Sequence, residues 1–167
     1  MDDFLHLTDM STISIGLDQS QRIGVANLLR QTLADEYVLY TKTRKYHWNV
    51  EGPHFHDLHK LFESQYEEID ETIDAVAERI RALGLYSTGS FEELLKAARI
   101  KGDAGGQIGA HQMLENLLGD HEAIIRSLRV DLVAAAESYG DAGNQDFLTG
   151  LLESHEKAAW MLRSLLG

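Results

Sequence analysis

Pro53 is the only proline in this chain of 167 residues, and it stands between two long segments with helical periodicity. A proline inside a helix removes a hydrogen bond and collides with the preceding turn, so a helix usually ends near it. The segments on either side of Pro53 contain no proline and are rich in good helix formers. The sequence therefore predicts a fold of helices, with the first break at residues 50–53.

Apolar periodicity predicts four long helices, with a short helix in the connection between the second and the third. The long helices are predicted at residues 18–49, 53–83, 110–139 and 145–166, and the short one lies within residues 87–100. One long crossover between two hairpins is typical of a ferritin-like four-helix bundle, whereas cytokine-like bundles need two. We expect an all-α fold of this kind over residues 18–167, preceded by an N-terminal arm of residues 1–17.

Residues with special roles at helix ends support these bounds. Asp18 is a predicted N-cap, Pro53 suits the first position of the second helix, and Gly84 suits its end. Ser90 and Glu93 form a predicted capping box at the start of the short helix. Apolar residues of the first helix are candidates for packing: Leu28, Leu29, Leu33, Tyr37, Leu39 and Tyr40. Those of the second helix share one face: Phe62, Ile69, Ile73, Val76 and Ile80.

The net charge of the chain is −12, and neither end carries a basic tail. Nucleic-acid-binding proteins are usually basic, so the charge favours cationic ligands over phosphates. The N-terminal segment contains Asp2, Asp3 and Asp9 but no Lys or Arg before Arg22, so we expect neither a signal peptide nor a transit peptide. No apolar run reaches the roughly 18 residues of a membrane span. We therefore expect a cytoplasmic protein with no membrane partner.

Half of the eight histidines lie in the stretch HWNVEGPHFHDLH, residues 47–59. The chain has no cysteine, so any metal site must use His, Asp and Glu. On the second helix, His59, Glu63, Asp74 and Glu78 fall within about 100° of the helical wheel, beside the apolar face. His59 with Glu63, and Asp74 with Glu78, are i,i+4 pairs that can each hold one ion. Ligands of this kind suit iron, manganese or zinc.

The two i,i+4 pairs are centred about 15 residues apart, or roughly 22 Å along the helix axis. One metal site therefore cannot use both pairs from the same chain, but a two-fold axis between antiparallel helices brings one pair near the partner's other pair. The tight turn brings His47 back toward the start of the second helix, so His47, His59 and Glu63 form a predicted half-site. A solvated acidic face is the alternative interpretation, because further acids lie between the pairs: Glu67, Glu68, Asp70 and Glu71.

The segment of residues 45–84 resembles the Dps family of mini-ferritins, whose signature is H-W-x-V-x-G-x-x-F-x-x-L-H followed by D-x-x-A-E-R. The matching residues are His47, Trp48, Val50, Gly52, Phe55, Leu58 and His59, then Asp74, Ala77, Glu78 and Arg79. The resemblance implies a hollow dodecamer that oxidises Fe(II), preferentially with hydrogen peroxide, stores it as ferric mineral and protects against oxidative damage. It also implies catalytic, metal-binding residues at a two-fold interface: His47, His59 and Glu63 from one subunit, and Asp74 and Glu78 from its partner.

Some residues depart from the family's pattern or add to it. The family most often has Asp where this chain has Glu63, whose carboxylate is still a hard ligand. His54 and His56 are additional histidines, and whether either binds metal stays open, although His56 lies along the metal stripe. Asp146 matches a place where the family lines a three-fold iron pore, but an acid there also suits the helix dipole. Zinc and manganese are compatible with the same ligands as iron.

Other functions are compatible with parts of the sequence. Some Dps proteins bind DNA through basic tails, which this chain lacks, so we expect weak or no DNA binding at physiological salt. In a bundle without a catalytic role, the acids would serve only as surface. A bacterioferritin-like di-iron protein would need Glu-x-x-His within helices. The segment from Glu51 to His54 matches the Glu-x-x-His pattern, but it contains the predicted helix break and therefore does not lie within a helix.

Overall fold

The structure is a computed structural model that describes residues 13–167. This part of the chain forms five helices and no strand: α1 Gln19–Asn49, α2 Phe55–Ala82, α3 Phe91–Ala97, α4 Ala110–Glu137 and α5 Ala142–Leu166. The predicted all-α fold, with a short helix in the long connection, is confirmed. Asp2, Asp3 and Asp9 of the predicted arm lie outside the described residues. None of these helices is long and apolar enough to span a membrane.

The four long helices form two hairpins around one core. α1 packs along α2 and α4 packs along α5, while α1 also contacts α3 and α4. The five apolar residues predicted for one face of α2 are all buried. Of the candidates in α1, three are buried: Leu29, Leu33 and Leu39. The others pack against the core while partly buried: Leu28, Tyr37 and Tyr40. Burial of each fully buried apolar side chain stabilises the fold by about 1.5–3 kcal/mol.

The predicted caps of three helices are present. The side chain of Asp18 accepts a hydrogen bond from the backbone N–H of Gln21 at the start of α1, and Ser90 forms the capping box with Glu93 at the start of α3. α2 ends before Gly84, whose φ of +86° places it in the left-handed region. A side chain is strained there, so glycine suits the end of this helix.

Two predicted helix starts are wrong. Pro53 is not the first residue of α2, because a turn follows Gly52 and the helix begins only at Phe55, whose N–H donates to the Gly52 carbonyl at 3.0 Å. α5 begins earlier than residue 145, at Ala142. The reason is that the side chain of Asp141 accepts a hydrogen bond from the backbone N–H of Asn144 and caps the helix. The sequence pattern instead predicts a longer turn at these residues.

Arg99 anchors the long connection between the hairpins. Its guanidinium donates to Asp35 of α1 at 2.7 Å and to Asp131 of α4 at 2.6 Å. Asp35 also accepts from the backbone N–H groups of Arg99 and Ile100. Because Asp35 is fully buried and Asp131 nearly so, these charges are stable only in their paired form. The crossover is thereby fixed to both hairpins.

Candidate metal centre

His47 and His59 are brought together by the turn between α1 and α2. Gly52 reverses the chain with a φ of +113°, a value that side chains other than glycine rarely adopt. α2 then starts antiparallel to the end of α1. The two imidazole rings stack with their centroids 3.8 Å apart and their planes inclined by 21°. We call His47 and His59 the hairpin pair.

The rings of the hairpin pair hold each other in one tautomer. Nδ1 of His47 lies 2.8 Å from the backbone oxygen of His59, and Nδ1 of His59 lies 2.9 Å from the backbone oxygen of His47. A carbonyl oxygen only accepts hydrogen bonds, so both Nδ1 atoms carry the hydrogen. When the rings are neutral, both Nε2 atoms therefore present lone pairs. Metal-binding histidines are oriented in this way, with the other ring nitrogen donating a hydrogen bond.

Aromatic rings and one guanidinium surround the hairpin pair. Tyr66 contacts His47 edge-on with centroids 5.2 Å apart, and Phe55 stacks on the other imidazole at 5.0 Å. The guanidinium of Arg44 lies 5.3 Å from the ring centre of Tyr66 and 5.6 Å from that of Trp48. Trp48 is 65% exposed and Phe55 is 45% exposed. Large exposed rings beside a polar centre are typical of a surface that another protein covers.

Glu63 lies one turn after His59 on α2, with its side chain 30% exposed. Its carboxylate accepts a hydrogen bond from the ammonium of Lys60 at 2.5 Å. This hydrogen bond, together with the positive charges of Lys60 and of the hairpin pair when protonated, holds the pKa of Glu63 below its ordinary value. Glu63 is therefore an ionised carboxylate near the hairpin pair at neutral pH.

Asp74 and Glu78 lie on the exposed side of α2, far from the hairpin pair. Asp74 follows His59 by about four helical turns, or roughly 22 Å along the axis. A single chain therefore does not bring the five predicted ligands together. Over residues 13–167, no three His, Asp or Glu side chains of one chain are grouped so that they could hold a metal ion. The half-site at the hairpin is incomplete without groups from elsewhere.

A second cluster of polar side chains lies inside the bundle, and sequence reasoning missed it. Each long helix contributes one buried member to this core cluster: Glu36, Gln65, His121 and His155. A polar residue on an otherwise apolar stripe is the signal that could have revealed them. His121, for example, stands between the buried residues Leu117 and Ile124.

The core cluster contains a chain of hydrogen bonds. Nε2 of His155 lies 2.8 Å from Oε1 of Glu36, and Nδ1 of His155 lies 2.9 Å from Nδ1 of His121. Burial lowers the pKa of His121 well below its ordinary value. Burial also lowers the pKa of His155, but the carboxylates of Glu36 and Asp35 outweigh it, so the net shift is upward. The two core histidines therefore differ in their tendency to carry charge.

Known proteins resemble this chain over most of its length. A family model for the ferritin-like domain matches residues 26–167. A low temperature-induced protein of Nostoc sp. is 52% identical over 157 residues, covering 94% of this chain and 88% of the relative. The DNA protection during starvation protein 2 of Bacillus anthracis is 37% identical over 142 residues, covering 85% and 96%. The crystal structure of a Vibrio cholerae O1 Dps protein, described as one of the ferritin-like diiron-carboxylate proteins, gives a TM-score of 0.86 at 35% identity, covering 93% and 97%.

Proposed function

This chain belongs to the Dps family of ferritin-like proteins, and we propose that it is a ferroxidase that stores iron. In this proposal Fe(II) is the substrate, hydrogen peroxide is the preferred oxidant, and ferric mineral collects inside a hollow shell of twelve subunits. The protein would thus protect the cytoplasm against oxidative damage, since it removes both reactants of iron-dependent radical chemistry.

The observation that carries the proposal is the tautomer of the hairpin pair. Both Nδ1 atoms are occupied by backbone carbonyls 2.8 and 2.9 Å away, which leaves both Nε2 atoms as donors of lone pairs. Two imidazoles and the ionised carboxylate of Glu63 suit Fe(II), with zinc or manganese as competitors for the same ligands. Histidines whose Nδ1 atoms are held in this way are oriented as metal-binding histidines are, with the other ring nitrogen available.

A second subunit would complete the site. Asp74 and Glu78 are exposed on α2, and the face of the hairpin pair carries exposed aromatic rings. Antiparallel packing of two α2 helices about a two-fold axis would bring Asp74 and Glu78 of the partner subunit to His47, His59 and Glu63. Each interface would then contain two equivalent centres.

The proposed reaction balances with one peroxide for two Fe(II) ions. Each Fe(II) gives up one electron, the O–O bond breaks, and two protons from the medium complete two water molecules. Because the peroxide is reduced by two electrons in one centre, no hydroxyl radical needs to be released. The carboxylates of Glu63 and of the partner's Asp74 and Glu78 would favour Fe(III) over Fe(II), since hard oxygen ligands stabilise the higher charge.

Acidic side chains provide a path and a surface for the iron. α2 exposes a run of acids on which ferric mineral would nucleate: Glu67, Glu68, Asp70 and Glu71. Asp146 is exposed near the start of α5, just after its first turn, as an iron pore at a three-fold axis would require. Direct DNA binding, the alternative function, is disfavoured for this chain by its net charge of −12.

Fe(II) oxidation tests this proposal. Rates with peroxide and with oxygen are compared among the unmodified protein, His59→Ala and Asp74→Ala, with His111→Ala as the control because His111 is an exposed histidine of α4. We expect both site variants to lose at least about 10–100-fold in rate, by analogy with the cost of disturbing metal-site residues, and the control to keep its rate. Unchanged rates in both site variants would contradict the proposed centre.

Mixed shells test the contribution of two subunits. When His59→Ala and Asp74→Ala chains assemble together, each mixed dimer has one centre with both defects and one centre that is intact. Partial recovery of peroxide-dependent oxidation, up to about half per mixed dimer, is expected from the two-fold symmetry. If each centre were built within one chain, mixing would restore nothing.

A further inference from the structure

Unpartnered polar atoms meet in a cavity beside the core cluster. The cavity has a volume of about 30 Å³, and all four members of the core cluster line it. Within the part of the chain that the structure describes, four buried atoms there have no hydrogen-bond partner: Oε2 of Glu36, Nε2 of His121 and both amide atoms of Gln65. Their residues are at most 5% exposed. Buried polar groups are nearly always satisfied, so this cavity suits a small polar molecule.

Water matches these atoms in size and in hydrogen bonding. A buried water needs about 10–15 Å³ and two to four polar partners, so the cavity has room for one or two. One water would donate to Oε2 of Glu36 and accept from the amide nitrogen of Gln65, and it would also contact Nε2 of His121. A second water would reach the amide oxygen of Gln65. Because the exposed residues Glu68 and Ser154 also line the cavity, protons from solvent have a path to the core cluster.

The hydrogen bonds of the core cluster allow two forms that differ by one proton. His155 donates from Nε2 to Glu36 in both forms, because a carboxylate only accepts. One hydrogen lies between the Nδ1 atoms of His155 and His121, which are 2.9 Å apart. When this hydrogen belongs to His121, His155 is neutral, and Nε2 of His121 presents a lone pair to the water. When it belongs to His155, that ring is an imidazolium, and a neutral His121 donates from Nε2 to the water.

The charges around His155 favour the form with the extra proton. Glu36 accepts from His155 on one oxygen, while its other oxygen is unpartnered. The other titratable or charged groups near His155 come from the neighbouring helices: Asp35 of α1, which pairs with Arg99, Glu68 of α2 at the rim of the cavity, and His121 of α4. Burial lowers the pKa of His155, but the carboxylates of Glu36 and Asp35 outweigh it and raise that pKa. Burial and the charge of His155 lower the pKa of His121, so the cluster takes up one proton and resists a second.

We propose that the core cluster is a proton-uptake site that couples the packing of the four long helices to pH. The proton enters through the water and forms an N–H bond at Nε2 of His121. The N–H bond at Nδ1 of His121 breaks as one forms at Nδ1 of His155, so the solvent has lost one proton and His155 is an imidazolium. Uptake stabilises the bundle, because the imidazolium compensates the buried charge of Glu36. The site is separate from the hairpin pair and does not depend on the proposed ferroxidase function.

The stability that the core cluster contributes should be greatest near about pH 6.5, the ordinary pKa of histidine in an unfolded chain. His155 has a raised pKa, so its contribution is fully present below that pH and is lost as the pH rises through the pKa of the folded protein. His121 has a lowered pKa and stays neutral in the folded protein. Stability is therefore lost again below about pH 6.5, where the unfolded chain binds a proton at His121 and the folded protein does not.

Melting temperatures of the metal-free protein between about pH 5 and about pH 9 measure both effects. His155→Gln keeps a donor for Glu36 but cannot take up a proton. Relative to this variant, the unmodified protein should gain about 2–4 °C for each unit by which the pKa of His155 is raised, as the pH falls toward about 6.5. His121→Gln should keep this gain and lose the decline below about pH 6.5. His111→Gln is the control, because His111 is exposed, and it should follow the unmodified protein at every pH.

Hydrogen positions in the unmodified protein keep the test decisive even if a variant does not fold. Neutron diffraction at about pH 6 should show hydrogen on both nitrogens of His155, hydrogen on Nε2 alone of His121, and a water between His121 and Glu36. At about pH 9 the hydrogen between the rings should belong to His121, whose Nε2 then carries none. The same hydrogen positions at both pH values, or the same pH dependence of melting with and without His155→Gln, would overturn the proposal. Neither result bears on Fe(II) oxidation at the hairpin pair.

Discussion

The hairpin pair and the core cluster contain the same kinds of side chain in opposite settings. In the hairpin pair, two imidazoles are fixed by backbone carbonyls across a turn, and the neighbouring Glu63 is partly exposed. In the core cluster, two imidazoles are fixed by each other and by Glu36, which is fully buried. In the proposed function the hairpin pair needs a second subunit, whereas the core cluster forms once the four long helices of one chain have packed.

Replacement of a glutamate by alanine should give the largest difference in stability between the core cluster and the hairpin site. Glu36→Ala leaves His155 without its carboxylate in the core, and breaking a buried charged pair costs about 3–5 kcal/mol. Glu63→Ala removes a partly exposed carboxylate and should leave the midpoint of unfolding nearly unchanged. Urea unfolding of the metal-free variants at equal protein concentration measures the difference. Equal midpoints would mean that Glu36 contributes no more to folding than a surface acid.

A negative charge in place of the exposed ring of Trp48 should affect the hairpin pair but not the core cluster. Trp48 is 65% exposed beside the pair, and Trp48→Glu would bury a negative charge if a second subunit covers it. We expect Fe(II) oxidation to fall about 10–100-fold, because an unpaired buried charge costs several kcal/mol and each 1.4 kcal/mol is a factor of ten.

Val130→Glu is the matched control for that substitution. Val130 is 67% exposed on α4, so the change adds the same charge to a face that carries no part of the hairpin half-site. Its oxidation rate should equal that of the unmodified protein. An equal loss of oxidation in both variants would indicate general damage to the subunit rather than a specific interface at Trp48.

The same comparison shows what the sequence allows one to predict. The approach of His47 to His59 follows from two local features, one turn and the helical period, and both can be predicted from the sequence. The core cluster depends on contacts between residues such as Glu36 and His155, which are separated by 119 positions. Single-helix periodicity shows that each interrupts an apolar stripe, but not that they face each other. The predicted starts of α2 and α5 are wrong for a related reason. The first residue of each helix depends on hydrogen bonds around Gly52 and Asp141, which helical periodicity does not reveal.

Lys60 is predicted to compete with metal for Glu63. Its ammonium donates to the Glu63 carboxylate, so Lys60→Gln should raise metal affinity at neutral pH by less than about fivefold, because exposed ion pairs are weak. Loss of Lys60 also removes the main cause that lowers the pKa of Glu63. The carboxylate of the variant then protonates at a higher pH, and the gain in affinity should shrink as the solution is acidified toward that pKa.

Metal titrations at neutral and mildly acidic pH measure both effects of Lys60→Gln. Lys60→Arg is the control, because it keeps the charge and a donor at the same position and should resemble the unmodified protein. If Lys60→Gln instead bound metal more weakly at neutral pH, Lys60 would hold Glu63 in place for the metal rather than compete with it.

The smallest effect is expected for His54 and His56, the inner histidines of the stretch HWNVEGPHFHDLH. His54 is the N-cap residue of α2 without a side-chain hydrogen bond to the helix, and both side chains are exposed. His47 and His59 are instead fixed by hydrogen bonds that orient Nε2. An unfixed imidazole loses conformational freedom when it binds metal, which offsets part of the gain. His54→Ala and His56→Ala should therefore change Co(II) affinity less than twofold, with His59→Ala measured alongside. A tenfold loss of Co(II) affinity in His56→Ala would indicate that His56 is a third imidazole ligand of the hairpin site. The site would then depend less on the partner subunit.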